Sequence, residues 1–254
     1  MGVAERIPEA EAATAPYRVV GEDRAGPWLV TCDHASARVP PEVGALGLPE
    51  SEMRRHIAYD VGAAGTALAL AEALGAPAIL SDFSRLVIDP NRGEDDPTLL
   101  MRLYDGTVIP GNRHADAAER ERRLALFHRP YHAALERLAA RPGIAVVAVH
   151  SFTPRLRGRP PRPWHVGILS DHDRRLVAPL LERLRGEADL VVGDNEPYSG
   201  RLPGDSIDRH ALRHGRPNAL IEVRHDLIET EEGQRAWGRR LARHLEGARA
   251  DADL

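Results

Sequence analysis

Residues 28–41 read Trp28-Leu-Val-Thr-Cys-Asp-His-Ala-Ser-Ala-Arg-Val-Pro-Pro41. The stretch begins apolar and turns polar at Asp33 and His34, and two prolines then prevent further strand hydrogen bonding. This pattern predicts a buried strand whose last residues enter a loop. Open α/β sheets bind their ligands outside the carboxyl ends of the strands, so the stretch also predicts where a site lies.

Two later stretches share this pattern. Residues 144–154 form an apolar run that ends at His150, and residues 218–226 form another that ends with Glu222 and Arg224. Because the carboxyl ends of parallel strands meet at one edge of a sheet, we expect these polar side chains to converge with His34. The three strand ends together predict one functional edge.

The rest of the chain alternates predicted helices with predicted strands, which indicates one α/β domain. Its sheet should be twisted, mixed and mostly parallel, with helices on both faces. Residues 1–16 are predicted to be a mobile tail, which leaves 17–254 as the domain. The predicted helices are 51–74, 116–140 with a kink at Pro130, 173–185 and 230–246, and the other strands are 78–80, 84–92, 165–169 and 189–192.

The composition restricts the classes of partner. A formal net charge of -4 argues against general nucleic-acid binding, which needs a basic surface. No apolar run reaches the roughly 18 residues of a membrane helix, and the N-terminus lacks the apolar segment of a signal peptide. The single cysteine, Cys32, excludes an intrachain disulfide and is typical of a cytoplasmic protein. Cys32 itself fits a buried apolar residue or a catalytic thiol.

A metal site is the first chemical hypothesis. His34 and His150 end two predicted strands, and Asp60 lies within the predicted helix 51–74 among apolar residues, where a carboxylate is rare unless it is paired or binds a metal. Two histidines and a carboxylate, with a fourth position left for water, are a common catalytic zinc set. Each residue taken alone also fits a hydrogen-bonded structural role.

A rival ligand pair is present in the predicted helix 116–140. His128 and His132 are four residues apart and would share one face of a helix. Pro130 lies between them, however, and no carboxylate completes the spacing of a known zinc motif. We interpret the pair as partly buried polar residues.

Glu222 interrupts an otherwise apolar strand, Ala219-Leu-Ile-Glu-Val223. An isolated carboxylate there is costly, because burial disfavours the charged form. Glu222 therefore either pairs with an arginine or has a raised pKa and acts as a general base.

Arg85 and Arg92 are candidates for holding an anionic substrate, because a guanidinium can bind a carboxylate through two hydrogen bonds. In a continuous strand their odd separation would place them on opposite faces. Pro90 is expected to end the strand and free Arg92 to turn toward the site, so Arg92 is the favoured substrate contact. Arg85 is then either a second contact or part of an ion pair with Asp82, Asp89 or Asp95.

Six blocks of the chain, in order, resemble the N-formylglutamate amidohydrolase family, and they span about residues 28 to 245. The block 84–92 is the most specific of them. The blocks are Cys32-Asp-His-Ala-Ser36 with Arg38-Val-Pro-Pro41, Tyr59-Asp-Val-Gly-Ala63, Ser84-Arg-Leu-Val-Ile-Asp-Pro-Asn-Arg92, His150-Ser-Phe-Thr-Pro154, Asn195-Glu-Pro-Tyr-Ser199 and Pro217-Asn-Ala-Leu-Ile-Glu-Val-Arg224.

The resemblance implies hydrolysis of an N-acyl amide and a fold like that of the zinc carboxypeptidases. It makes His34 and His150 ligands of Zn²⁺ or another divalent metal and Asp60 a third ligand. It makes Glu222 the general base, and it assigns the substrate carboxylate to Arg85, Asn91 and Arg92. The small-molecule substrate is then an N-acyl amino acid such as N-formylglutamate.

One block departs from the pattern of the family. Characterised deformylases tend to read Pro-His-Ser-Gly around the first histidine, where this chain has Asp33-His-Ala-Ser36. The departure bears on the substrate more than on the reaction. Two alternatives therefore remain open, a zinc peptidase or deacylase that acts on another N-acyl amino acid or peptide, and a non-catalytic module that binds carboxylates.

Overall fold

A computed structural model describes residues 15–254 of the protein. Its strands are β1 (Tyr17–Val20), β2 (Trp28–Cys32), β3 (Ala78–Ser81), β4 (Leu103–Tyr104), β5 (Thr107–Val108), β6 (Ala145–Phe152), β7 (Val166–Leu169), β8 (Val192–Asp194) and β9 (Asn218–Arg224). Its α-helices are α1 (Glu50–Met53), α2 (Ala63–Ala73), α3 (Ala117–Arg123), α4 (Arg129–Ala139), α5 (Val177–Arg185), α6 (Ser206–His210) and α7 (Glu231–Asp251), and a π-helix (Leu124–His128) joins α3 to α4.

Seven strands form one sheet in the order β1-β3-β2-β6-β9-β7-β8. The pairs β2–β3, β2–β6, β6–β9 and β7–β8 are parallel, and the pairs β1–β3 and β7–β9 are antiparallel. The prediction of a mixed, mostly parallel sheet is therefore confirmed. The three strands predicted to share a functional edge, β2, β6 and β9, are parallel neighbours at its centre.

Helices cover both faces of the sheet, as predicted. One face packs on α2, α5 and α7, and the apolar side chains of Val147 and Val149 point into that layer. The other face packs on α4 and α6 and receives Val146 and Ala148. This alternation along β6 places His150 on the same side as Val146 and Ala148, above the α4 and α6 layer.

The predicted helix 51–74 is wrong as a single element. The chain forms the short helix α1, passes through turns, and begins α2 only at Ala63. Gly62 causes the break, because it has φ 77° and a Cβ at that position would lie 2.1 Å from the carbonyl oxygen of Ile228. Asp60 consequently lies in a turn before α2 rather than inside a helix.

The predicted strand 84–92 is also wrong, because this segment consists of turns. The backbone N–H of Val87 donates to the carbonyl oxygen of Ser84 (2.8 Å), and that of Arg92 donates to Asp89 (3.2 Å). The apolar residues between them are buried in a third cluster with Phe83. A short apolar run is buried equally well as turns or as a strand, so its pattern does not distinguish the two.

Helical structure does run across the predicted segment 116–140. Pro130 is the second residue of α4 and directly follows the π-helix, so its missing N–H falls where the helix changes type.

The predicted tail 1–16 falls, except for Ala15 and Pro16, outside the described residues. Within residues 15–254, no helix combines the length and the hydrophobicity needed to cross a membrane.

Candidate active site

The three residues predicted to bind a metal lie together at the carboxyl edge of the sheet. The Nδ1 atoms of His34 and His150 are 3.2 Å apart. Asp60 Oδ2 lies 2.9 Å from His150 Nδ1 and 3.4 Å from His34 Nδ1. All three side chains are buried, and their potential ligand atoms lie within 4.8 Å of one another. This group could hold a metal ion.

The turn that carries Asp60 is tied to both histidine strands. The backbone N–H of Asp60 donates to the carbonyl oxygen of His34 (2.9 Å). The backbone N–H of Ser151 donates to Asp60 Oδ2 (3.2 Å), and its hydroxyl donates to the carbonyl oxygen of Val61 (2.8 Å). The carboxylate is therefore held in place by the ends of β2 and β6, which no helical periodicity could indicate.

Two further buried carboxylates lie behind the histidines. His34 Nε2 lies 2.7 Å from Asp89 Oδ1, and His150 Nε2 lies 3.3 Å from Asp33 Oδ2. When Nε2–H faces a carboxylate, the neutral ring presents an unprotonated Nδ1 on its other side. Both rings direct Nδ1 toward Asp60. Burial opposes the charge of His150, but Asp33 and Asp60 raise its pKa well above the ordinary value, so a metal ion that bound there would displace the Nδ1 proton. Tyr131 holds Asp33 from behind by donating its hydroxyl to Asp33 Oδ1 (2.6 Å).

Neighbouring opposite charges keep the buried side chains of Asp60 and Arg85 ionised. Burial alone would raise the pKa of Asp60, but His34 and His150 beside it lower that pKa below its ordinary value. Burial opposes the charge of Arg85, but Asp89 raises the pKa of the guanidinium above its ordinary range. Arg85 is 2.8 Å from Asp89 and 3.4 Å from Asp60, so the predicted ion pair is present and Asp89 is its main partner.

Glu222 is the register partner of His150 in the β6–β9 pair, so both side chains are on the same side of the sheet. Its side chain is buried, and in residues 15–254 its Oε2 atom has no hydrogen-bond partner. Burial raises the pKa of Glu222 to about 7. No arginine pairs with it among those residues, which favours the general-base interpretation over the structural one.

A cavity of about 300 Å³ opens over this group. Its polar lining includes every residue predicted for the site: His34, Asp60, Arg85, Asn91, Arg92, His150 and Glu222. The lining residues that the sequence analysis did not assign to the site include His56, Tyr104, Tyr198 and Asp205. Tyr198 belongs to the block 195–199 of the family resemblance, which was the available signal for it.

Arg92 reaches the cavity from the turn that ends the block 84–92. Its Nε donates to the hydroxyl of Thr98 (3.1 Å) and its Nη1 to the carbonyl oxygen of Asn91 (2.8 Å). The nearest carboxylate, Asp96, is 4.0 Å away. The positive charge of Arg92 is therefore compensated less than that of Arg85, which contacts two carboxylates.

The rival pair His128 and His132 lies behind this turn and outside the metal-binding group. Each Nε2 faces a backbone carbonyl oxygen, that of Arg92 for His128 (3.0 Å) and that of Pro90 for His132 (2.9 Å). Cys32 is buried in the core between the sheet and α2, away from the lining of the cavity. The structure therefore fits the interpretation of His128 and His132 as structural polar residues and of Cys32 as an apolar residue of the core.

Asp33→Asn tests the support of His150. An asparagine amide can turn its NH₂ group toward His150 Nε2, which would then accept, and the proton of the neutral ring would move to Nδ1. We expect the affinity of this candidate site for added Zn²⁺ to fall about 10–100-fold, the usual effect of losing such a partner of a ligand, as measured by competition with a chromophoric chelator. The control is Asp82→Asn, at an exposed carboxylate paired with Arg38. Equal metal affinity in Asp33→Asn and Asp82→Asn would mean that Asp33 does not support the ring of His150.

The fold and the site define a protein of the α/β class whose sheet edge carries a candidate hydrolytic centre. Residues 26–229 match the N-formylglutamate amidohydrolase family. The chain therefore belongs to the N-formylglutamate amidohydrolase family. This confirms the resemblance found in the six sequence blocks, and the amidohydrolase class with it.

Relatives and solved structures agree with this assignment. The N-formylglutamate deformylase of Pseudomonas putida is 28% identical over 208 residues, covering 72% of this chain and 74% of the relative. That of Pseudomonas aeruginosa is 30% identical over 223 residues, covering 78% of each chain. A gene product of Agrobacterium tumefaciens superposes with a TM-score of 0.91 at 34% identity, covering 96% of this chain and 99% of that one. The N-formylglutamate amidohydrolase of Ralstonia eutropha superposes with a TM-score of 0.72 at 25% identity, covering 93% of this chain and 99% of that one.

Proposed function

We propose that this protein hydrolyses the formyl-type amide of an N-acylated acidic amino acid such as N-formylglutamate, using Zn²⁺ or another divalent metal. The observation that carries the proposal is Glu222, a buried carboxylate with an unpartnered oxygen beside the His34–Asp60–His150 group in one cavity. The substrate is suggested by the deformylase relatives.

His34, Asp60 and His150 would hold the metal. Two nitrogens and one carboxylate oxygen are a set that suits zinc and leaves a position for water. When bound there, such a metal supplies a water of lowered pKa and polarises the acyl oxygen of the substrate.

Glu222 moves the protons of the reaction. It accepts a proton from the attacking water and later delivers it to the amide nitrogen, so that the C–N bond breaks to give formate and the free amine. A carboxyl group whose pKa is raised by burial is suited to both steps, because it can take up and release a proton near neutral pH.

Arg85 and Arg92 have separate roles toward the substrate. The charge of Arg85 is fixed in the wall of the cavity by Asp89 and Asp60, and it faces the oxyanion that develops on the acyl group. Arg92, with Asn91 beside it, binds the carboxylate of the substrate. The partner is thus a small N-acyl amino acid rather than a nucleic acid or a membrane, and we place the protein in the cytoplasm.

Formate release tests the function directly. The protein should contain one metal ion per chain by elemental analysis and release formate from N-formylglutamate at a rate that a chelator abolishes. Faster turnover of another N-acyl amino acid or of an acidic peptide would indicate the broader deacylase instead. Binding of N-formylglutamate without turnover, in protein that lacks stoichiometric metal, would indicate a non-catalytic carboxylate-binding module.

Arg92→Lys tests the substrate charge. Lysine keeps the positive charge but loses the paired donors of the guanidinium. We expect KM to rise about tenfold for N-formylglutamate, in line with the loss of a charged hydrogen bond, and to change less for N-formylglutamine. The two substrates and two proteins form a double-mutant cycle. Equal increases for both substrates would mean that Arg92 does not recognise the carboxylate.

A further inference from the structure

Three buried histidines lie behind the turn of residues 89–92 and have no part in the chemistry described above. They are His128 at the end of the π-helix, His132 in α4 and His210 at the end of α6. All three are at most 3% exposed. The rings of His128 and His132 have centroids 4.3 Å apart, and those of His132 and His210 are stacked at 5.1 Å.

The hydrogen bonds fix which nitrogen carries each proton. A carbonyl oxygen only accepts, so His132 donates Nε2–H to Pro90 and His128 donates Nε2–H to Arg92. In a neutral ring the other nitrogen of His132, Nδ1, then accepts, and it lies 2.8 Å from His210 Nε2. His210 must therefore donate to His132. Burial lowers the pKa of all three side chains, in keeping with neutral rings.

Among residues 15–254 no strand pairs with this turn, so its carbonyl oxygens need other donors. Within the turn, the backbone N–H of Asn91 donates to Asp89 Oδ1 and that of Arg92 to the carbonyl oxygen of Asp89. The carbonyl oxygen of Asn91 accepts from the side chain of Arg92. The carbonyl oxygens of Pro90 and Arg92 are left, and these are the two that His132 and His128 satisfy.

The same turn carries both side chains proposed to hold the substrate carboxylate. Asn91 Oδ1 accepts from the backbone N–H of Ser206 (3.3 Å), in the helix α6 that ends at His210. Arg92 enters the cavity directly after it. A shift of the carbonyl oxygens at positions 90 and 92 would therefore move both side chains relative to the metal-binding group.

We propose that His128, His132 and His210 are positioning residues that hold the turn 89–92 so that Asn91 and Arg92 meet the carboxylate of the substrate. This inference rests on the proposed function for the identity of that carboxylate. The three histidines thus affect the affinity for the substrate although they lie outside the metal-binding group. His128 and His132 have this role instead of binding a metal.

The test compares three variants. His132→Leu removes the donor to Pro90 and leaves a buried carbonyl oxygen unsatisfied. His132→Gln keeps a donor, because its amide nitrogen can occupy the place of Nε2. His244→Leu is the control, since His244 is a partly buried histidine of α7 that contacts Glu187 far from the cavity.

We expect His132→Leu to raise KM for N-formylglutamate about tenfold, the size of effect that an unsatisfied buried acceptor produces. Its kcat should stay within about twofold and its metal content should not change. His132→Gln should recover most of the affinity, and His244→Leu should match the wild type. A general loss of packing would lower kcat and metal content together and would not be rescued by glutamine, and that result would overturn the proposal.

Hydrogen exchange provides a readout that does not depend on the substrate. The backbone amides of Asn91 and Arg92 should exchange about tenfold faster in His132→Leu than in the wild type or in His132→Gln, because the turn that protects them loosens. Unchanged exchange in His132→Leu would overturn the proposal. Faster exchange in a protein whose wild type fails to cleave N-formylglutamate would keep the positioning role and reject the proposed function.

Discussion

Glu222→Gln should lower kcat by about 10²–10⁴-fold, the contribution of a general base. Glutamine has nearly the same shape, so the cavity and the bound metal should be unaffected, but it cannot accept the proton of the attacking water. The measurement is formate release under saturating N-formylglutamate, with metal content determined on the same sample. Loss of metal would instead make Glu222 a ligand, and near-normal turnover would remove it from the mechanism.

The pH profile gives this prediction a second readout. The proposed role of Glu222 as general base requires its deprotonated form, so wild-type turnover should fall as pH drops below the pKa of this group. The residual activity of Glu222→Gln should lack that acidic decline. Glu222→Asp provides the companion variant, because it keeps a carboxylate but withdraws it by one methylene. It should retain more activity than Glu222→Gln together with the acidic decline.

His34→Ala and His150→Ala should each lose bound metal and activity while remaining folded. Each removes one of the three proposed ligands, so the metal affinity should fall by more than the roughly 10–100-fold that follows loss of an outer partner. Elemental analysis after dialysis measures the metal, and circular dichroism verifies the fold.

His128→Ala is the matched control for these two variants, because it removes a buried histidine whose ring nitrogen faces the carbonyl oxygen of Arg92. It should keep one metal ion per chain. If His34→Ala and His150→Ala kept the metal while His128→Ala lost it, the site would belong to the pair His128 and His132, and the mechanism proposed around Glu222 would have to be abandoned.

The local sequence pattern was enough to predict the strands that contain long apolar runs. The run before His34 and the two runs that end at His150 and Glu222 each predicted a buried strand, and all three strands are present as neighbours. Such runs determine a strand because few other arrangements bury every side chain along them. The family resemblance then supplied the roles of His34, His150 and Glu222.

Local pattern failed where backbone conformation depends on distant contacts. Helical spacing through residues 51–74 gave no sign of the break at Gly62, which reflects a close approach of the carbonyl oxygen of Ile228. The apolar run in 84–92 was assigned to a strand, yet it is folded into turns against Phe83. In both places the deciding partner is remote in sequence, so no window of neighbouring residues contains the information.

By itself, the sequence determined the class of fold, the edge that carries the site and the identities of His34, His150 and Glu222 as candidates. Only the tertiary structure decided how they are oriented. The pairing of β6 with β9 sets His150 beside Glu222. The carboxylates of Asp89 and Asp33 lie 2.7 Å and 3.3 Å from the Nε2 atoms of His34 and His150, and the Nδ1 atoms of both rings face Asp60. Proton position and ring orientation depend on hydrogen bonds between residues far apart in the chain, and these exist only after folding.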